Sequence, residues 1–309
     1  MDGYVAPTDH GWYQFLRARP AIDEVNFWRP GGVRFKALRP GEPFFFKLKA
    51  PHQGIGGFGL FARFALLPLC RVWEVFGEAN GAASEFDLRQ RLADLAHNPH
   101  LLTDNDRPIG CISVAATVFF TPDEWVPVPT DWQPNIVSGR RYDLTQGEGK
   151  KLWMSCLERA QAQGAGNGWL DDALDRERFG KPQIIRPRLG QGSFRIAVLD
   201  AYGSACAVTT EHSLPVLEAA HIRPYGRGGK HEVRNGLPLR RDLHRLFDLG
   251  YVTVRPDHRL AVSPELAETY RNGRAYYALE GREILLPSSP DHQPSEELLQ
   301  WHADTLFRA

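Results

Sequence analysis

The stretch LEAAHIRPYGRGGKHEVRNGLPLRRDLHRLFD, residues 217–248, sets two imidazoles and an amide at fixed intervals. Asn235 follows His221 by 14 residues, His244 follows Asn235 by 9, and Asp248 stands 4 beyond His244. Hydrolysing a phosphodiester needs an activated water and a cation that stabilises charge on the phosphate and the leaving oxygen. A neutral histidine takes the water's proton at physiological pH, and a side-chain amide can hold its ring in one tautomer. A cation needs one or two ligands near the base, with other positions left for phosphate and water. This segment supplies each of those residue types.

The elements around them suit that task. VLEAAHI reads as a strand, RPYGRGGKHEVRNG as a turn-rich loop, and RRDLHRLFD as a helix with His244 and Asp248 one turn apart on one face. Strand, loop, strand, helix is a compact way to bring a base and a metal ligand together. Charge points the same way locally. Lysines and arginines number 37 in the whole chain, as do the acids, yet residues 181–260 hold thirteen basic residues against seven acidic ones. A basic segment inside a neutral chain suggests a local anionic partner.

With these residues the chain resembles the HNH endonucleases of the ββα-metal fold. The resemblance covers roughly residues 186–305, through LGQGSFRIAVLDAYGSACAVT, EAAHI, NGLPLRRDLHRLFDLGYVTV and the LPSS…LLQWH tail. It implies that His221 is the general base, that Asn235 orients it, that His244 binds a divalent metal (Mg²⁺, or Mn²⁺, Co²⁺ or Ni²⁺), and that Asp248 falls where a further ligand often lies. Many members have Asp or His just before the base, where this chain has Ala220. Glu218, two residues back on the same strand face, is a ligand in its place; a site with fewer protein ligands and more water, or a weakened nuclease, are the alternatives. Among the arginines around the motif, Arg195 and Arg223 are the best placed to hold DNA phosphates, which positions a duplex without reading its sequence. His212 and His231 have no spacing that recommends them as ligands.

At 309 residues the chain suggests two domains. The first ~145 read mostly as short strands, EPFFFKLKA, IGGFGLFARFALL and PIGCISVAATVFF, with a helix at EFDLRQRLADLAH that places Phe86, Leu88, Leu92 and Leu95 roughly on one face. An α+β fold with a small, partly open barrel in front is expected. Residues 146–180 read as a helical linker, with a breaker at GAGNG and a second helix at WLDDALDRER, and residues 181–309 as the nuclease domain. Four widely spaced cysteines, at 70, 111, 156 and 206, argue against structural zinc and disulfides and fit a reducing cytoplasm. The first residues show no signal peptide, and no apolar run is long enough to span a bilayer.

The front block is similar to the PUA-like superfamily, which includes EVE, YTH, ASCH and SRA domains, through NFWRPGG, LRPGEPFFFKLKAPHQGIGGFGLF and WEVFGEANG over about residues 10–140. That resemblance implies an aromatic-walled pocket for a modified or flipped base, with Trp28, Trp73 and Trp132 as walls and His52 or Asn26 as edge readers. Reader plus HNH nuclease is the layout of modification-dependent (type IV) restriction endonucleases. The expected substrate is therefore double-stranded DNA carrying modified cytosine, with no membrane partner. Because a single-metal nuclease domain cuts one strand, a homodimer is expected at least on DNA. A modified-DNA reader with an inactive HNH domain, and a nuclease without modification preference, are the competing readings.

Overall fold

The computed structural model describes residues 1–22, 24–31, 33–164 and 190–309, which divide into two compact units, Met1–Gly192 and Ser193–Ala309. The expected second helix of the linker, at WLDDALDRER, lies outside the described residues, as do Arg186 and Arg188.

The first unit is built on one mixed sheet. Its strands are β1 (Asp2–Thr8), β2 (Glu24–Arg29), β3 (Pro43–Leu48), β4 (Gly54–Pro68), β5 (Pro108–Phe119), β6 (Val126–Pro127) and β7 (Arg140–Asp143). They run in the order β2-β5-β4-β3-β1-β7, with β6 on β4; β1 and β3 are parallel and the other pairs antiparallel. The barrel, expected to be partly open, does not close among the described residues. Strands β2 and β7 are edges, and no described strand joins them.

Strand β4 turns because its ladder slips twice against β5, between Phe58 and Leu60 and between Phe61 and Arg63. Glycine permits the close approach there: Gly57 sits at φ 154°, and a Cβ on it would lie 2.2 Å from the Val118 carbonyl oxygen. Helix α4 (Gly147–Ala162) covers a core of Phe45, Phe58, Phe120, Trp153 and Leu157. Helix α1 (His10–Arg17) buries Trp12, Tyr13 and Leu16, and its first turn is capped by Asp9, which accepts from Trp12 N. Helices α2 (Leu69–Phe76) and α3 (Glu85–Ala96) complete the unit. In α3 the expected apolar face is wrong. Leu88 and Leu92 are fully buried, but Phe86 is 69% exposed and Leu95 39%. Phe86 lies roughly 200° around the helix from Leu88, so the two cannot share a face, and Arg89 and Ala93 complete the buried side.

The second unit is a ββα body with flanking helices. Helix α5 (Gln191–Ala201) begins it; β8 (Leu217–His221) and β9 (Gly236–Arg240) pair antiparallel, with His221 opposite Gly236; α6 (Arg241–Asp248) follows. Then come the hairpin β10 (Val252–Val254) and β11 (Leu260–Val262), the short helices α7 (Glu265–Tyr270) and α8 (Arg274–Tyr277), and α9 (Glu296–Thr305). Leu243 and Phe247 anchor α6 in a core shared with Phe194, Val198, Leu217, Ala220, Leu237 and Leu299. Cys206 is part of that core. A Cβ at Gly236 would lie 2.3 Å from Val198 Cγ2 and 2.9 Å from Phe194, so strand β9 packs on α5 only because that residue has no side chain. Helix α9 is locked in by His302, fully buried, whose ring stacks on Phe247 at 3.7 Å. Its Nδ1 accepts from the Thr253 hydroxyl at 2.8 Å, and its Nε2–H donates to the Phe247 carbonyl at 3.2 Å. Burial holds the His302 pKa down at about 4.

Candidate functional site

The hairpin and α6 place three of the expected residues, Glu218, His244 and Asp248, within reach of one another. Glu218 leaves the exposed side of β8 and its Oε2 lies 2.7 Å from His244 Nδ1; its Oε1 accepts from Arg241 Nε at 2.8 Å. On the other edge of the same imidazole, His244 Nε2 lies 3.4 Å from Asp248 Oδ2, at the helical spacing the sequence shows. Burial raises the Glu218 pKa, but the hydrogen bonds from His244 and Arg241 outweigh it and leave the carboxyl below its ordinary value. Asp248 goes the other way: burial raises it, and His244 offsets only part of that.

His221 stands at the end of β8, its ring stacked on Phe194 at 3.9 Å and 12°. Burial, then the charges of His231 and His244, hold its pKa down at about 4, so the imidazole is neutral and basic in form near pH 7. Its Nε2 is 2.9 Å from Nδ1 of His231, which stacks in turn on Tyr225 at 4.7 Å. His231 is the residue sequence reasoning passed over. It belongs to the loop that folds back across the hairpin, and the one signal for it is a second histidine ten residues after the first, just past Gly228 and Gly229.

Asn235 is fully buried but does not hydrogen-bond the ring of His221. Its Oδ1 accepts from Arg223 N at 2.8 Å, and its Nδ2 donates to the carbonyls of Arg223 and Lys230 at 3.0 and 2.9 Å. The amide closes the loop, and through it acts on whatever the loop carries. Arg195 donates from Nη2 to the Leu217 carbonyl at 3.0 Å, at the start of β8. Arg223 lies over the Trp301 ring at 5.2 Å and donates from Nε to the Arg227 carbonyl.

A metal ion would find a two-ligand site here. Among the described residues no three His, Cys, Asp or Glu side chains are grouped to hold one ion, because the two carboxylates face opposite nitrogens of a single imidazole. A carboxylate oxygen and one imidazole nitrogen, with the rest left to water, nevertheless fit a divalent cation that keeps several waters.

The expected base-pocket residues part company. The first unit holds a cavity of about 300 Å³ lined by Tyr4, Asp9, Trp12, Phe27, Trp28, Arg29 and Lys49 among others. Trp28 belongs to it, with its indole N–H tied to the Asn80 carbonyl at 2.9 Å, as the Trp12 indole is tied to Asn26 O at 3.2 Å. Trp73 and His52 lie elsewhere: Trp73 is half-buried on α2, and His52 stacks on His10 at 3.7 Å. Trp132 lies beneath the Lys47 ammonium at 5.4 Å, and Asn26 donates to Asn80 Oδ1 at 2.8 Å in the interior.

The segment that carries the site has a known counterpart. Residues 206–255 match the family model of the HNH endonucleases. The second unit thus holds an HNH endonuclease domain, and β8, β9 and α6 all lie within the matched segment. No curated protein matches the chain. Among solved structures, ASCH from Zymomonas mobilis is 14% identical, covers 49% of this chain and 94% of its own, and superposes with a TM-score of 0.33. The modification-dependent TagI restriction endonuclease is 14% identical, covers 92% of this chain and 75% of its own, and gives 0.30. Superpositions this loose say nothing of function. Among the described residues no helix is long and apolar enough to cross a membrane.

Proposed function

We propose that this chain is a divalent-metal-dependent endonuclease that cuts DNA carrying modified cytosine, its first unit reading the base and its second hydrolysing the backbone. The observation that carries the nuclease half is a Glu218–His244 pair at 2.7 Å on the hairpin and helix of a segment that matches the HNH endonucleases, with His221, whose burial favours the neutral imidazole, at the end of the same strand as Glu218. His221 accepts the proton of the attacking water, whose oxygen bonds to phosphorus as the bond to the leaving oxygen breaks. Glu218 and His244 would hold the metal, with Asp248 on the second nitrogen of the same ring, and the ion would supply charge stabilisation at the phosphate. Arg223 holds a backbone phosphate once DNA draws it off Trp301.

The reading half rests on the cavity and on the PUA-like resemblance. An extruded base loses a few kcal/mol of stacking and pairing and regains it on aromatic faces and edge hydrogen bonds. Trp28, Trp12 and Tyr4 offer the faces, and Asp9 and Lys49 offer polar groups. Two protomers on one duplex give a double-strand break.

The test is a cleavage assay on matched plasmids, unmodified, 5-methylated and 5-hydroxymethylated at cytosine, with Mg²⁺, Mn²⁺, Co²⁺ and Ni²⁺ in turn. Cutting confined to a modified plasmid, and lost in His221→Ala, is the expected result. Equal cutting of all three plasmids would overturn the reading half; tight binding with no cutting in any metal would overturn the nuclease half.

A further inference from the structure

The hydrogen bond between His221 and His231 has only one orientation compatible with a base at 221. A neutral imidazole carries one proton on two nitrogens. If His231 donated from Nδ1, His221 would use its Nε2 lone pair to accept and would carry its own proton on Nδ1; neither nitrogen could then take one from water. If His221 donates from Nε2, its Nδ1 lone pair is left for the reaction. Nδ1 has no hydrogen-bond partner among the described residues.

We propose that His231 is the positioning residue for His221: its Nδ1 accepts the His221 Nε2–H, fixes that tautomer, and leaves Nδ1 of His221 as the atom that takes the water's proton. This rests on His221 being the base, as proposed above. Both rings are clamped for the task, His221 against Phe194 at 3.9 Å and His231 against Tyr225 at 4.7 Å, each within 13° of parallel. The loop between them is tied by the Asn235 amide to Arg223 and Lys230, the residue just before His231. It is also tightly packed: a Cβ at Gly229 would lie 1.8 Å from the Arg223 carbonyl oxygen. Asn235 and His231 therefore act in series, the amide holding the loop and the loop's imidazole holding the base. When the O–H bond of water breaks and the N–H bond forms at Nδ1, the charge on His221 strengthens the existing Nε2–H···Nδ1 bond.

Two readouts on the full chain test this, one independent of metal and substrate. In two-bond ¹H–¹⁵N correlation spectra at neutral pH, His221 should show a protonated Nε2 and an unprotonated Nδ1. In His231→Ala the ring should become a tautomer mixture. In His231→Asn, where an amide oxygen can still accept, the wild-type pattern should persist. With Mn²⁺ and a modified plasmid, His231→Ala should lower kcat by roughly 10- to 100-fold, with the thermal midpoint and the duplex Kd unchanged, and His231→Asn should recover most of the loss. A proton on Nδ1 of His221 in the wild type, an unchanged tautomer in His231→Ala, or full cleavage by that variant overturns the proposal. If the wild type cuts no plasmid while the tautomer responds as described, the hydrogen-bond assignment stands and the role of His221 as a base falls.

Discussion

The two units place their candidate functional groups by opposite means. In the second, Glu218, His221, Asn235, His244 and Asp248 all come from one window of 31 residues, and one hairpin and one helix suffice to gather them. In the first, the cavity draws Tyr4 and Asp9 from the start of the chain, Trp28 from β2, Lys49 from the β3–β4 turn and Val137 from beyond β6. A site built from local elements is as robust as those elements. A site built from a whole curved sheet depends on how every strand sits, so the same kind of substitution should damage the two differently.

The sharpest way to break the comparison is His221→Ala. It should lower cleavage by about 10²- to 10⁴-fold while leaving the affinity for modified duplex intact, measured by cleavage rate and by fluorescence anisotropy with a metal that does not support cutting. Loss of binding would mean that the units are not separable in this way. The next effect is on stability. A histidine in the unfolded chain titrates near 6.5, and His302 near 4 when buried, so between those values the unfolded chain binds more protons. Stability of the second unit should be full above about pH 6.5 and fall as the pH drops toward 4, with His302 contributing at most about 3 kcal/mol of the loss. Thermal unfolding against pH checks it, and His302→Gln should reduce the dependence without abolishing it, because His221 is held down at about 4 as well.

Trp28→Ala should cut the affinity for modified duplex by about 1–3 kcal/mol and leave the kcat on saturating DNA unchanged. A slower kcat at saturation would tie the cavity to the chemistry. The smallest effects separate two arginines that the sequence alone treats alike. Arg195→Ala should lower the thermal midpoint, since its guanidinium holds the Leu217 carbonyl, by about 1–3 kcal/mol of stability. Arg223→Ala should leave the midpoint near wild type and reduce the salt dependence of DNA binding by about one phosphate contact.

The difference between the units also explains what could be read before any coordinates. The grouping of Glu218, His244 and Asp248 was legible because helical and strand periodicity fixes which side chains share a face over a few residues, and the structure brings these three together. Asn235 was legible as part of the motif but its work was not: an amide bonded to backbone carbonyls of a folded-back loop leaves no trace in spacing. His231 escaped for the same reason. In the first unit, β2 is covered on both sides, with Glu24, Val25, Asn26 and Trp28 all buried, so no alternation of polar and apolar residues says which side chain meets the cavity. Trp28 was legible as a candidate, while Trp73 and His52 looked equally good and sit elsewhere. The bend of β4 escaped too, because the bulges that make it are set by close contacts such as that at Gly57.

The last helix has a practical consequence. His302 is wedged behind Phe247, Ser295 donates its backbone N–H to Arg234, Leu285 to Ala207, and Arg308 to Gly250. The fifty residues that match the nuclease family therefore cannot be excised as a working cutter: trimmed at 255, the helix bearing His244 would lose its backing and expose Leu243 and Phe247 to water. Anyone grafting this blade onto a different handle should carry residues 193 through 308 intact.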